Sequence, residues 1–132
     1  MLGLFKKSSI QLVTEFHKLF GHPIRKAPFL VYDRENTLRL SLIEEEVKEL
    51  KEALKTKNEL EVFDALLDIQ YVLDGAFLAL GYADYKDAGL AEVHRSNLSK
   101  LGEDGKPVYR EDGKILKGPN FSKPDLKKVL DA

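Results

Sequence analysis

Glu45, Glu46 and Glu49 fall within the stretch IEEEVKEL, residues 43–50, and Asp64 and Asp68 stand four residues apart further along. Carboxylates at these spacings can dress a solvated helix face. They can also converge as hard oxygen ligands for a divalent cation such as Mg²⁺ or Mn²⁺. The angle of each residue bears on the choice. Successive helix residues turn by about 100°. With Glu45 at zero, Glu44, Lys48, Lys51, Glu52 and Lys55 cluster at roughly 240–340°, a solvent face. Leu40, Ile43, Val47, Leu50 and Leu54 gather near about 140–220°, the core face. Glu46 falls at about 100° and Glu49 at about 40°, in a sector shared with Leu42 and Ala53. Glu45 sits at the edge of that sector. Arg39, at about 120°, also points inward, one heptad before Glu46.

Glutamates at such angles can still border a core and reach outward to water. Burying two this close together is costly unless cations neutralise them. The second acidic pair lies in VFDALLDIQYVLDGAFLALG, residues 62–81, which is apolar nearly all round and reads as the most buried helix. Asp64 and Asp68 share one stripe of it with Glu61, Tyr71 and Gly75. Asp74 lies elsewhere and reads as polar punctuation. Aspartate is a poor interior helix residue and a rare core residue. One buried aspartate paired with Arg39 would account for part of this pattern. Two helices each presenting inward carboxylates match a metal site inside a helical bundle better.

These residues must be held by their elements. Leu12, Val13, Phe16, Leu19 and Phe20 have helical spacing across Ile10–Phe20, and Gly21 with Pro23 stops that helix. After a linker, a second helix is predicted from about Asn36 or Thr37 through Leu54. A third runs from Glu59 to Leu80 and ends at Gly81. Asp84 is the expected cap of a fourth, which continues to about Leu101. Two strand-like runs then flank Asp112-Gly113, a dipeptide that favours a type I′ hairpin. KPDLKKVL reads as a short last helix with Pro124 in its first turn. The expected fold is all-α, a four-helix bundle with a C-terminal β-hairpin and a short last helix. It forms one domain over residues 1–132, with the helical core at about 10–101 and the appendix at about 102–132.

Composition narrows the chemistry. The chain has 21 basic and 22 acidic residues, a net charge of −1, and therefore no global basic field to draw it to polymeric nucleic acid. It has no cysteine, which excludes disulfides, thiolate metal sites and cysteine nucleophiles. The opening MLGLFKKSSIQLVTEF lacks an apolar run long enough for a signal peptide, and no stretch reaches the length of a membrane span. A cytoplasmic protein is expected.

Glu45-Glu46-x-x-Glu49, followed by Asp68 one helix later, resembles the acidic motifs of the all-α nucleoside triphosphate pyrophosphohydrolases, the MazG-like and phosphoribosyl-ATP pyrophosphohydrolase-like group. EVHRSNLSKL, DGK and GKILKGPNFSKPDL look like the C-terminal part of its dUTPase-like branch. The likeness extends from about Phe16 to the last helix. One departure stands out: the second acidic motif of the family is E-x-x-D, and counting back from Asp68 places Ala65 where a glutamate belongs. Asp64, one residue earlier, is the candidate replacement.

The resemblance implies that Glu46, Glu49 and Asp68 hold metal, with Asp64 as a further ligand. It implies that Glu45 is either another ligand or, with Glu46 beside it, part of the catalytic pair that takes a proton from the attacking water. Two or more Mg²⁺ or Mn²⁺ ions would reverse the sign of the acidic pocket for a triphosphate substrate. By the same analogy, Asn97 and Lys100 bind substrate, and Lys114 and Lys117 close over the phosphates from the hairpin. Phe16 and His17 are candidates to touch the nucleoside. The implied reaction cleaves a (deoxy)nucleoside triphosphate between its α- and β-phosphates, releasing a monophosphate and pyrophosphate, in a homodimer or homotetramer. The alternative is a non-catalytic helical module whose inward acids bind a structural cation.

Overall fold

The computed structural model describes residues 6–132, so the part of the leader-peptide reading that rests on residues 1–5 lies outside the described residues. The fold is all-α apart from one small hairpin. The chain divides into two compact units, one up to Asp84 and the other Tyr85–Ala132.

The first unit contains α1 (Ser9–Phe20), α2 (Arg34–Lys55) and α3 (Glu59–Leu80). Ser8 and Gln11 form a reciprocal capping box at the start of α1, and Gly21 ends it in the left-handed region at φ 70. α2 begins earlier than the Asn36 or Thr37 expected from its apolar period. The Asp33 carboxylate caps it by accepting from the Asn36 amide at 2.9 Å. A polar first turn carries no periodic signal, so the cap sets the boundary. Asn58 caps α3 in the same manner, and Gly81 closes it at φ 87.

The linker between α1 and α2 is strapped to the end of α3. The amides of Arg25 and Phe29 donate to the carbonyls of Leu78 and Leu80, both at 2.9 Å. A side chain at Gly81 would run into the Ala27 carbonyl, so glycine is required there for close approach as well as for its φ.

α3 packs against both α2 and α1. The tightest packing uses small residues: Ala53 of α2 and Ala65, Ala76 and Ala79 of α3 are buried, with Val13 and Leu78. Ala65 therefore stands at a core position where a glutamate would displace packing. The reading of Asp74 as punctuation is overturned. Asp74 has 0% exposure, and its Oδ2 accepts from Gln70 at 3.1 Å. The first half of α3 departs from the expected burial in the other direction, since Leu60, Phe63, Leu66 and Leu67 are exposed in the single chain.

In the second unit, α4 spans Lys86–Leu98 and is preceded by a 3₁₀ turn at Ala83–Tyr85. Asp84 is not its cap: Tyr85 holds that position without a side-chain hydrogen bond, and Asp84 pairs with Lys26 at 3.7 Å. The 3₁₀ turn pushes the helix start past the capping aspartate. The helix also stops short of Leu101, so Lys100 lies in the turn beyond it.

β1 (Val108–Tyr109) and β2 (Ile115–Leu116) pair antiparallel, Val108 opposite Leu116. Their turn is not type I′, which needs positive φ at both central residues. Only Gly113 has it, at φ 85, and the Gly113 amide donates to the Arg110 carbonyl at 2.9 Å. Asp112 instead spends its carboxylate on Arg110 Nε at 2.9 Å and the Lys114 amide at 3.1 Å. The hairpin is clipped to the end of α4 by the Gly118 amide, which donates to the Lys100 carbonyl at 2.8 Å. The last helix, α5, runs Leu126–Asp131 and is capped by Asp125, so Pro124 precedes the cap and lies outside the first turn.

Candidate metal centre

Glu46 and Glu49 lie one turn apart on α2, and Asp68 faces them from α3. One carboxylate oxygen from each lies within 4.8 Å of the other two. Three acidic groups at this separation repel one another unless protons or cations intervene. Burial pushes the Glu46 carboxyl up to about 7; a proton shared with Glu49 and the charges of Glu49, Asp68 and Glu45 add to the rise. Asp68 is also raised, first by burial and then by the charges of Asp64 and Glu49.

Glu46 Oε2 is buried with no hydrogen-bond partner. An acceptor oxygen in that position, backed by two more carboxylates, suits a hard oxygen-seeking cation such as Mg²⁺ or Mn²⁺. The donor set thus fits the implied metal.

Among the other acids singled out in the sequence, Glu45 and Asp64 are exposed and do not join this trio. Their negative charges still act on Glu46 and Asp68 respectively. The E-x-x-D spacing is present on α3 as Glu61-Val62-Phe63-Asp64, but both of its acids are exposed. Arg39 is not paired with Asp64. Its Nη2 lies 3.1 Å from His22 Nδ1, and it makes no ion pair among the described residues.

The proposed substrate-binding residues lie in the second unit. Asn97 is exposed on α4, Lys100 is half-buried in the following turn, and Lys114 and Lys117 are exposed on the hairpin. The Gly118 clip joins the backbone next to Lys117 to Lys100 itself. Lys117 Nζ sits 4.8 Å from the centre of the Phe121 ring, a cation–π contact.

Arg39 points inward as expected and joins a buried polar cluster with His22 and with His17, which is buried here although it was a candidate to touch the nucleoside. His17, 2% exposed, has Nδ1 at 2.8 Å from the Pro23 carbonyl, and burial holds its pKa below the ordinary value. His22 links His17 and Arg39, with ring centres of the two histidines 5.2 Å apart. The available signal for His22 was the run GHP after an apolar helix, which gives no periodicity to interpret.

The chain belongs to the phosphoribosyl-ATP pyrophosphohydrolase family, whose sequence model matches residues 13–97. The family lies in the MazG-like nucleotide pyrophosphohydrolase superfamily. The matched span contains all three converging carboxylates and ends at Asn97. The chain is also 31% identical over 131 residues to uncharacterized protein L479 of Acanthamoeba polyphaga mimivirus. That alignment takes in 96% of the chain but 49% of the relative, so the chain spans about half the relative's length. No described helix is long and apolar enough to cross a membrane.

Proposed function

We propose that the protein hydrolyses a nucleoside triphosphate, preferentially a deoxynucleotide, between its α- and β-phosphates, yielding a monophosphate and pyrophosphate in nucleotide-pool control. The observation that carries this reading is the convergence of Glu46, Glu49 and Asp68, with Glu46 Oε2 buried and unpartnered. A divalent cation held by these three supplies the positive charge that a triphosphate needs in an acidic pocket. Glu45 is exposed beside them and is the group to take a proton from the attacking water. Lys100, Lys114 and Lys117 offer ammonium groups to the phosphates, and Asn97 offers an amide.

The test is pyrophosphate release from a panel of ribo- and deoxynucleoside triphosphates with and without Mg²⁺. Release that requires the metal supports the reading, and absence of release across the panel would sink it.

A homo-oligomer, at least a dimer, is part of the proposal. Leu60, Phe63, Leu66 and Leu67 expose an apolar half-helix that a second copy would cover. The cytoplasm is the proposed compartment, where such nucleotides are found.

A further inference from the structure

Two buried side-chain atoms, Glu46 Oε2 and Arg39 Nε, have no hydrogen-bond partner among the described residues. Both belong to α2, seven residues apart, or ~10.5 Å along the axis and on nearly the same side. A cation accounts for the first. The second is a donor and needs an acceptor.

Arg39 is 5% exposed and has no carboxylate in ion-pair contact among the described residues. Burial pulls its pKa down, the charge of Glu35 opposes this, and that of Arg25 adds to it. Its contact with His22 Nδ1 at 3.1 Å occupies one side of the guanidinium.

Aromatic rings border this polar cluster, with Phe16 stacked on Phe20 at 4.3 Å between ring centres. Tyr71 follows Asp68 by three residues on α3, and its ring meets Phe16 edge to face at 5.7 Å. Phe16 also meets His22 at 5.7 Å. Gly75, one turn beyond Tyr71, lets His17 and Arg39 pack closely against α3. A Cβ there would come to 3.1 Å from His17 Nε2 and 3.8 Å from Arg39 Nη1.

We propose that Arg39 is a specificity-determining residue that donates a hydrogen bond to the nucleobase of the substrate, with the base placed against Phe16 and Tyr71. This rests on the nucleotide-hydrolysis reading, with the phosphates at the carboxylate trio. The heptad from Glu46 to Arg39 then spans the length from phosphate to base. Tyr71, 40% exposed, is the ring that swings to admit the base. A guanidinium offers only donors, so it favours bases that present a carbonyl oxygen (guanine, thymine, uracil or cytosine) over adenine, whose acceptors are ring nitrogens alone.

The experiment measures calorimetric binding of α,β-imido nucleoside triphosphates carrying each base, and of abasic deoxyribose triphosphate, to the Mg²⁺-loaded protein. Wild type, Arg39→Met and Arg39→Lys are compared, each with a thermal melt. The expected result for Arg39→Met is a loss of about tenfold or more for the carbonyl-bearing bases. Adenine and abasic affinities should hold, and the melt should stay at or above wild type, because an apolar side chain replaces a buried cation. If Arg39→Met does not fold, Arg39→Lys preserves the charge and should show the same loss of base discrimination. Equal losses on the abasic compound, or unchanged ratios among bases, would overturn the assignment. Failure of the parent reading has a different signature: wild type releases no pyrophosphate from the matching hydrolysable nucleotides, whatever the binding ratios.

Discussion

Glu49 tests the metal centre most directly. Its removal takes one acceptor from the trio and also relieves the crowding of charge around Glu46 and Asp68. Glu49→Gln should therefore abolish Mg²⁺-dependent hydrolysis while raising the melting temperature of the metal-free protein, read by calorimetry on one preparation. The metal-free protein should also respond to pH in a specific direction. Glu46 binds its proton more tightly folded than unfolded, so its contribution favours folding below about 4.5 and fades as pH rises to about 7. Melts of metal-free protein should shift downward across that window, and Glu46→Gln should flatten the trend.

Asp64 is exposed and acts on Asp68 through its charge. Asp64→Asn should weaken Mg²⁺ affinity a few-fold in a titration and leave turnover at saturating metal largely intact. The shared sector of Glu46 and Glu49 was legible because helix geometry follows from spacing alone, but only Glu46 is partly buried and Glu49 is exposed. The exposure of Asp64 was not, since the stripe it shares with Asp68 extends beyond the packed half of α3. The burial of Asp74 was hidden for a similar reason: its cost is offset by partners such as Gln70 that only the folded helix brings near.

Helix ends were legible where glycine sets them. Gly21 and Gly81 both stop their helices in the left-handed conformation, as only a residue without a Cβ does at low cost. Starts set by aspartate were less legible, because several polar residues compete near each one. Asp33 won over Asn36, whereas Asp84 lost to a 3₁₀ turn. The hairpin position was found and its turn type missed, because Asp112 binds Arg110 and Lys114 instead of adopting positive φ.

Gly118 offers a test at this scale. A Cβ there would collide with the carbonyls of Leu101 and Lys100, so Gly118→Ala must break the clip that holds the hairpin to the end of α4. The expected cost is about 1–3 kcal/mol in urea unfolding. If Lys100 and Lys117 serve the phosphates together, the KM for nucleotide should rise in the same variant. An unchanged KM would separate the clip from substrate binding.

Across the whole molecule, the all-α fold followed from the helical periods, despite the long linker between α1 and α2. The core face expected for α2 is not covered within one chain: Leu40, Val47 and Leu54 are each more than half exposed. The circumference of α3 is apolar nearly all round, yet Phe63 and Leu66 remain exposed while Ala76 and Ala79 do not. Sedimentation should show at least a dimer at micromolar concentration. Phe63→Asp with Leu66→Asp should dissociate it, through two charges placed on the face that a second copy would cover. A wild-type monomer at that concentration would remove the oligomer from the proposal.

The strap formed by Arg25 and Phe29 on the end of α3 has a kinetic consequence. Amide protons at those two residues are held by carbonyls of another segment, and neither can exchange with solvent until the strap lifts. Gly81 packs directly under that strap, so lifting it exposes the end of α3 in the same event. Deuterium uptake at Arg25 and Phe29 should therefore be as slow as at Ala79 and Leu80. The first turns of α3, around Leu60 and Phe63, should exchange much sooner. The molecule would open from the solvent-facing end of its longest apolar helix, with the histidine–arginine end the last to admit water.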